Sequence, residues 1–178
     1  MIGNDLIALA TWSQGGAERL ERYRRKVFHR EERRLLSELA LPLAWQNALG
    51  WSLKEAAYKA HYRQRRGRLF APLSLAIKSL EKEGSTYQGA LLIEGVYYQL
   101  SSEERREMLH SLAWKAGARR PVWRLQKQRP GFFWYQGKYL RFYKDEAGVP
   151  WVASFDCDEQ YSSPASLSHD GGLHAWAW

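Results

Sequence analysis

Cysteine is nearly absent: among 178 residues, Cys157 carries the single thiol. One thiol excludes an internal disulfide, suits a reducing cytosol and, with no second thiol or histidine beside it in sequence, makes no zinc pattern. Long apolar runs are missing as well. Without a stretch of about 18 apolar residues there is no membrane-spanning helix. The opening MIGNDLIALATW has neither the basic segment nor the cleavage site of a secretory signal. We therefore expect a cytoplasmic protein with no membrane partner. No low-complexity linker divides the chain, so residues 1–178 read as one domain of mixed α and β structure.

Positive charge and aromatic side chains are plentiful. The net charge is +8, and a hydrophobic fraction of 45% with 14% aromatics is ample for a packed core. The basic residues concentrate in RLERYRRKVFHREERR and HYRQRRGR. Such a field attracts an acidic or phosphorylated partner. An acidic protein, a polyphosphate cofactor and a nucleic acid all fit on charge alone.

Local patterns give an order of elements. IGNDLIALAT reads as a strand in which Asp5 is the odd residue, and Ser13 or Gly16 begins the next helix. AERLERYRRKVFHREERRLLSEL is helical with a break at His29, and PLAWQNALGWSLKEAAYKAHYR is the following helix. FAPLSLAIKSLEKEG and YQGALLIEGVYYQL read as strands, the second turning near Gly95. SSEERREMLHSLAWKAG has a helix start at Ser101 or Ser102 and a stop at Gly117. GKYLRFYKDEAGVPWVASF is a hairpin, and PASLSHDGGLHAWAW a strand, glycine turn and strand.

The helix containing WSLKEAAYKA has two unlike faces. At about 100° per residue, Trp51, Glu55, Tyr58, Lys59 and Tyr62 share one side, and Leu53, Ala56, Ala57 and Ala60 the other. The small apolar side suits close packing. Glu55 and Lys59, one turn apart, are by themselves an ordinary surface pair.

Four pieces in order change that reading: IGNDLI, WSLKEAAYKA, GVPW and ASLSHDGGLHAWA. Together they resemble the 4'-phosphopantetheinyl transferase superfamily, specifically its holo-acyl-carrier-protein synthase type. There a G-x-D strand precedes W/F-x-x-K-E-A-x-x-K-A, then G-x-P, then S-x-S-H with A-x-A beyond. The match in motif order covers the N-terminal ~80 and the last ~40 residues. Residues from about 84 to 135 read as an insertion atypical of the family.

The resemblance implies an α+β fold with an antiparallel sheet packed against helices. It also implies transfer of 4'-phosphopantetheine from coenzyme A to a serine of an apo acyl or peptidyl carrier protein, releasing 3',5'-ADP. Asp5 and Glu55 would hold Mg²⁺, which needs only one or two carboxylates beside water and substrate phosphate. Ile7 stands where some members have a third carboxylate. Lys59 would neutralise the pyrophosphate, and Glu55 or a water would take the serine proton. Ser166, Ser168 and His169 would line the coenzyme A nucleotide and phosphates; Arg63, Arg65, Arg66 and Arg68 would reach those phosphates or the carrier. His174 reads as an ordinary strand histidine.

The helix bearing Arg19, Arg22, Arg25, Lys26 and Arg30 would dock the acidic acyl carrier protein. Because S-x-S-H follows the other motifs, His169 of one subunit should meet Asp5 and Glu55 of the next, which implies an oligomer, foremost a homotrimer. The sequence departs from the family in three places. No arginine follows the G-x-D strand, Leu49 and Gly50 precede Trp51, and the glycine after the K-E-A motif is delayed to Gly67. An inactive scaffold that binds the carrier is the first alternative. A basic, aromatic-rich nucleic-acid-binding module is the second, disfavoured because the aromatics are scattered and follow no nucleic-acid motif.

Overall fold

The computed structural model describes residues 1–14, 16–63, 69–105, 107–127, 131–154, 162–170 and 172–178. Arg65, Arg66, Arg68 and Cys157, singled out above, lie outside the described residues. The chain opens with strand β1 (Ile2–Ala8), followed by four helices, α1 (Leu9–Trp12), α2 (Ala17–Val27), α3 (Arg30–Glu38) and α4 (Leu43–His61). A 3-10 turn (Pro72–Ser74) leads into β2 (Ala76–Glu83), β3 (Thr86–Ile93), β4 (Val96–Arg105) and β5 (Met108–Lys115). Shorter strands follow: β6 (Trp123–Gln126), β7 (Phe132–Tyr135), β8 (Lys138–Lys144), β9 (Pro150–Ser154), β10 (Ser163–Pro164), β11 (Ser166–Asp170) and β12 (Leu173–Ala177).

β1 to β5 form one antiparallel sheet in the order β1-β5-β4-β3-β2, with α4 packed on its face. Leu53, Ala56, Ala57 and Ala60 of α4 are fully buried there among Ile7, Leu91, Tyr98 and Ala113. On the opposite face lies a three-stranded sheet, β11-β12-β6, whose Ala175 and Ala177 meet Leu6, Met108, Leu112 and Trp114. A four-stranded sheet, β10-β9-β8-β7, packs in turn against Trp176 through Phe133, Phe142 and Val152. The fold is α+β, as expected. No described helix is long and apolar enough to cross a membrane.

One expectation is corrected. SSEERREMLHSLAWKAG is not a helix but the end of β4 and the whole of β5. β5 is buried on both faces, Leu109 and Ala113 toward the helices and Met108, Leu112 and Trp114 toward the smaller sheet, so it shows no alternation. Ser102 is no helix cap: it faces Ser111 across the ladder, whose hydroxyl donates to it at 2.9 Å. Residues 84–135, expected as a family-atypical insertion, contain β3, β4 and β5, and β5 is the direct partner of β1. Most of that segment is integral to the sheet.

The helical break at His29 is real. His29 caps α3 in a reciprocal box with Glu32, whose carboxylate accepts from the His29 amide at 2.7 Å. Lys54, beside Glu55 in the K-E-A motif, is fully buried and reaches Glu32 at 2.8 Å, and the carbonyls of Val27 and Pro72 at 3.0 and 2.8 Å. Burial pushes its ammonium pKa down, with Glu32 opposing.

Candidate active site

Gly3 fixes how closely β1 crosses α4. A Cβ there would fall onto the Ala56 carbonyl and 2.5 Å from the Ala60 amide nitrogen, so no larger residue permits the approach. Two residues on, Asp5 projects from the same face of β1 toward the polar side of α4. The Lys59 ammonium lies 2.7 Å from Asp5 Oδ1 and 3.3 Å from Glu55 Oε2. The two expected carboxylates and the expected lysine thus form one cluster. Asp5 is buried, while Glu55 and Lys59 are about one-third exposed.

The cluster is electrostatically tuned. Burial raises the Glu55 carboxyl pKa, the neighbouring Asp5 charge raises it further, and Lys59 opposes both. The Tyr23 phenol pKa is raised by burial and then by the Glu55 charge. Trp12, Tyr23, Trp51, Phe70 and Tyr58 continue outward as a chain of ring contacts with centroids 4.9–6.5 Å apart. Among the described residues no group of three metal-type ligands occurs. Asp5 and Glu55 supply two hard carboxylates at one place, a donor set that fits Mg²⁺ completed by water and substrate oxygens.

From Lys59 a cleft of about 540 Å³ runs outward, lined by Tyr58, Tyr62, Arg63, Lys144, Pro150, Ser166, Leu167, His169 and His174. Three cationic side chains and two imidazoles face it, with no carboxylate among the described lining residues. His169 and His174 are register partners on β11 and β12, with rings stacked at 5.7 Å. His174, read from sequence as an ordinary strand histidine, and Lys144, not singled out there, both line the cleft. The pattern HDGGLH, with a glycine turn between the two histidines, would have identified His174 as the neighbour of His169.

The remaining expected residues divide. Arg63 lines the cleft, but its guanidinium donates to the carbonyls of Pro150 and Ala165 and stacks on Trp151 at 5.0 Å. Burial lowers its pKa to about 10, with Asp145 opposing, so it stays charged at neutral pH. It is a clamp between α4 and the C-terminal sheets that lends charge to the cleft. Ser166 lines the cleft while its hydroxyl oxygen accepts from the Asn4 amide at 2.9 Å. Ser168 does not face the cleft: it accepts from the Leu6 amide at 3.0 Å and donates to Asp5 Oδ1 at 3.2 Å. Its only proton goes to Asp5, so Ser168 joins β11 to the charged cluster.

The S-x-S-H strand reaches Asp5 of its own chain through Ser168, so these two motifs meet within one subunit. The expected docking residues Arg22, Arg25 and Lys26 lie exposed along α2, flanking a shallow groove with Glu18 and Glu21.

A family model for the 4'-phosphopantetheinyl transferase superfamily matches residues 1–114, which include Gly3, Asp5, Glu55 and Lys59. The chain belongs to this superfamily. The family's chemistry is the transfer of phosphopantetheine, with coenzyme A as the donor. No curated protein and no solved structure matches the chain. The matched part carries the charged cluster and the α4 wall of the cleft, whereas Lys144, His169 and His174 on the facing wall lie beyond residue 114.

Proposed function

We propose that this protein transfers 4'-phosphopantetheine from coenzyme A to a serine of an acidic apo acyl or peptidyl carrier protein, releasing 3',5'-ADP, in a Mg²⁺-dependent reaction. The observation that carries the reading is the convergence of Asp5, Glu55 and Lys59 at one end of a cleft lined by cations. Asp5 and Glu55 would hold the metal, which when bound supplies charge neutralisation on the pyrophosphate.

The residues of this chain account for the remaining demands. Lys59 leaves its carboxylate partners for the pyrophosphate oxygens. Lys144, His169 and His174 bind the phosphates and nucleotide along the cleft, with the charge of the Arg63 clamp behind them. The serine oxygen of the carrier bonds to the β-phosphorus, and the bond from that phosphorus to the bridging oxygen breaks. The electron pair leaves with 3',5'-ADP. Glu55, whose carboxyl holds its proton more tightly than an ordinary glutamate, takes the serine proton. The exposed basic face of α2 steers the acidic carrier.

Intact-mass spectrometry of a panel of apo carriers, mixed with the protein, coenzyme A and Mg²⁺, tests this. The expected result is a gain of one phosphopantetheine mass that disappears in Glu55→Gln and Lys59→Ala. No gain on any carrier, or an undiminished gain in Glu55→Gln, sinks the proposal.

A further inference from the structure

An edge strand directs alternate backbone amides away from its neighbour, and those amides need partners. β1 pairs with β5 on one side only. On the other side its Asn4, Leu6 and Ala8 amides donate to Ser166 Oγ, Ser168 Oγ and Asp170 Oδ2 at 2.9, 3.0 and 2.7 Å. The partners advance two residues at a time on both strands, so β11 lies along β1 as a comb of side chains. Ser168 differs from the other two teeth. Its hydroxyl accepts from Leu6 and also donates to Asp5 Oδ1, the oxygen that Lys59 contacts.

We propose that Ser168 is a positioning residue: it orients the Asp5 carboxylate for the metal and couples correct seating of β11 to the charged cluster. The inference rests on the reading of Asp5 as a ligand. The geometry is specific. With one lone pair of Asp5 Oδ1 held by a 6% exposed hydroxyl, rotation of the carboxylate is restricted and the second oxygen keeps a fixed direction. Ser166 and Asp170 serve the same comb without touching Asp5. This gives an internal control for mere docking of the hairpin.

Mn²⁺ alone, titrated against the full chain and followed by electron paramagnetic resonance, reads the effect without turnover, with Glu55→Gln defining the signal of the site. Ser168→Ala should weaken Glu55-dependent Mn²⁺ binding roughly tenfold or more, as loss of a residue that orients a ligand does at other metal sites. Ser168→Thr, which keeps the hydroxyl, should restore most of it. Asp170→Ala should lower the melting temperature as Ser168→Ala does while leaving Mn²⁺ affinity in place. If the alanine chain does not fold, Ser168→Cys, of similar shape and a poor donor, carries the same expectation. Equal weakening in Ser168→Ala and Asp170→Ala, unchanged binding in Ser168→Ala, or no Glu55-dependent Mn²⁺ binding in the parent chain each overturn the assignment. Mn²⁺ binding by the parent without phosphopantetheine transfer to any carrier would sink the functional reading and leave this one standing.

Discussion

Lys54 and Lys59 belong to one motif, and the structure gives them opposite tasks. The Lys54 ammonium has three protons and three acceptors, the Val27 and Pro72 carbonyls and Glu32 Oε2. Glu32 is equally committed, receiving the Ile77 amide at 2.8 Å and the His29 amide at 2.7 Å. Lys54→Met keeps the volume and strands the Glu32 carboxylate, 1% exposed, without its counter-ion. Breaking a buried pair in this way costs about 3–5 kcal/mol. For a chain of this size that corresponds to a fall of roughly 6–20 °C in melting temperature. Urea denaturation and calorimetry measure it, and adding Glu32→Gln should recover part of the loss, because the orphan charge goes while an acceptor oxygen remains. At temperatures where the variant is folded, kcat should fall far less than in Lys59→Ala. A loss below about 1 kcal/mol, the range of exposed pairs, would refute the reasoning.

Three further outcomes are expected. Glu55→Gln should abolish transfer yet raise the melting temperature at neutral pH, because burial and Asp5 disfavour the Glu55 charge. A carboxyl raised in the fold gives up stability as pH climbs from its unfolded pKa to its folded one, so the advantage of Gln should vanish below about pH 4.5; a variant less stable than the parent at pH 7 would contradict this. His110, buried against Trp123 and lowered to about 3 chiefly by burial, is neutral in the fold. Its contribution is present above its unfolded pKa of 6.5 and is lost as pH falls toward 3, by at most about 1.4 kcal/mol per pH unit. His110→Gln should flatten that slope in acid-denaturation curves, and an unchanged slope would count against it. Arg22→Glu with Arg25→Glu should raise the KM for the carrier more than that for coenzyme A; equal increases would remove α2 as the docking face.

Much of this was legible in the sequence because the signals are local. The two faces of WSLKEAAYKA separated correctly: Leu53, Ala56, Ala57 and Ala60 are buried, and Glu55 and Lys59 meet Asp5. The break at His29 and the hairpin at DEAG also carried their own chemistry, a capping box in the first case and Asp145 accepting from the Val149 amide in the second. What was misread depends on distant partners. β5 resembles a helix because both of its faces are covered, and only the position of β1 beside it explains the strand. The roles of Ser168 and Arg63 were also hidden. Hydroxyl and guanidinium groups suit phosphates and backbone groups equally, and the β1 amides and the Pro150 carbonyl claim them first.

The comb between β1 and β11 also bears on how the molecule is made. Asn4 and Ser166 are separated by 162 positions, which at about 5–20 residues per second is roughly 8–30 s of translation. During that interval the emerging β1 carries an open row of amides and an Asp5 with no hydroxyl to hold it. A ribosome-bound chain short of Ser166 therefore leaves the outer amides of β1 and the Asp5 carboxylate without the β11 side chains that hold them, and its nascent N-terminal strand is an open edge of the kind chaperones cover.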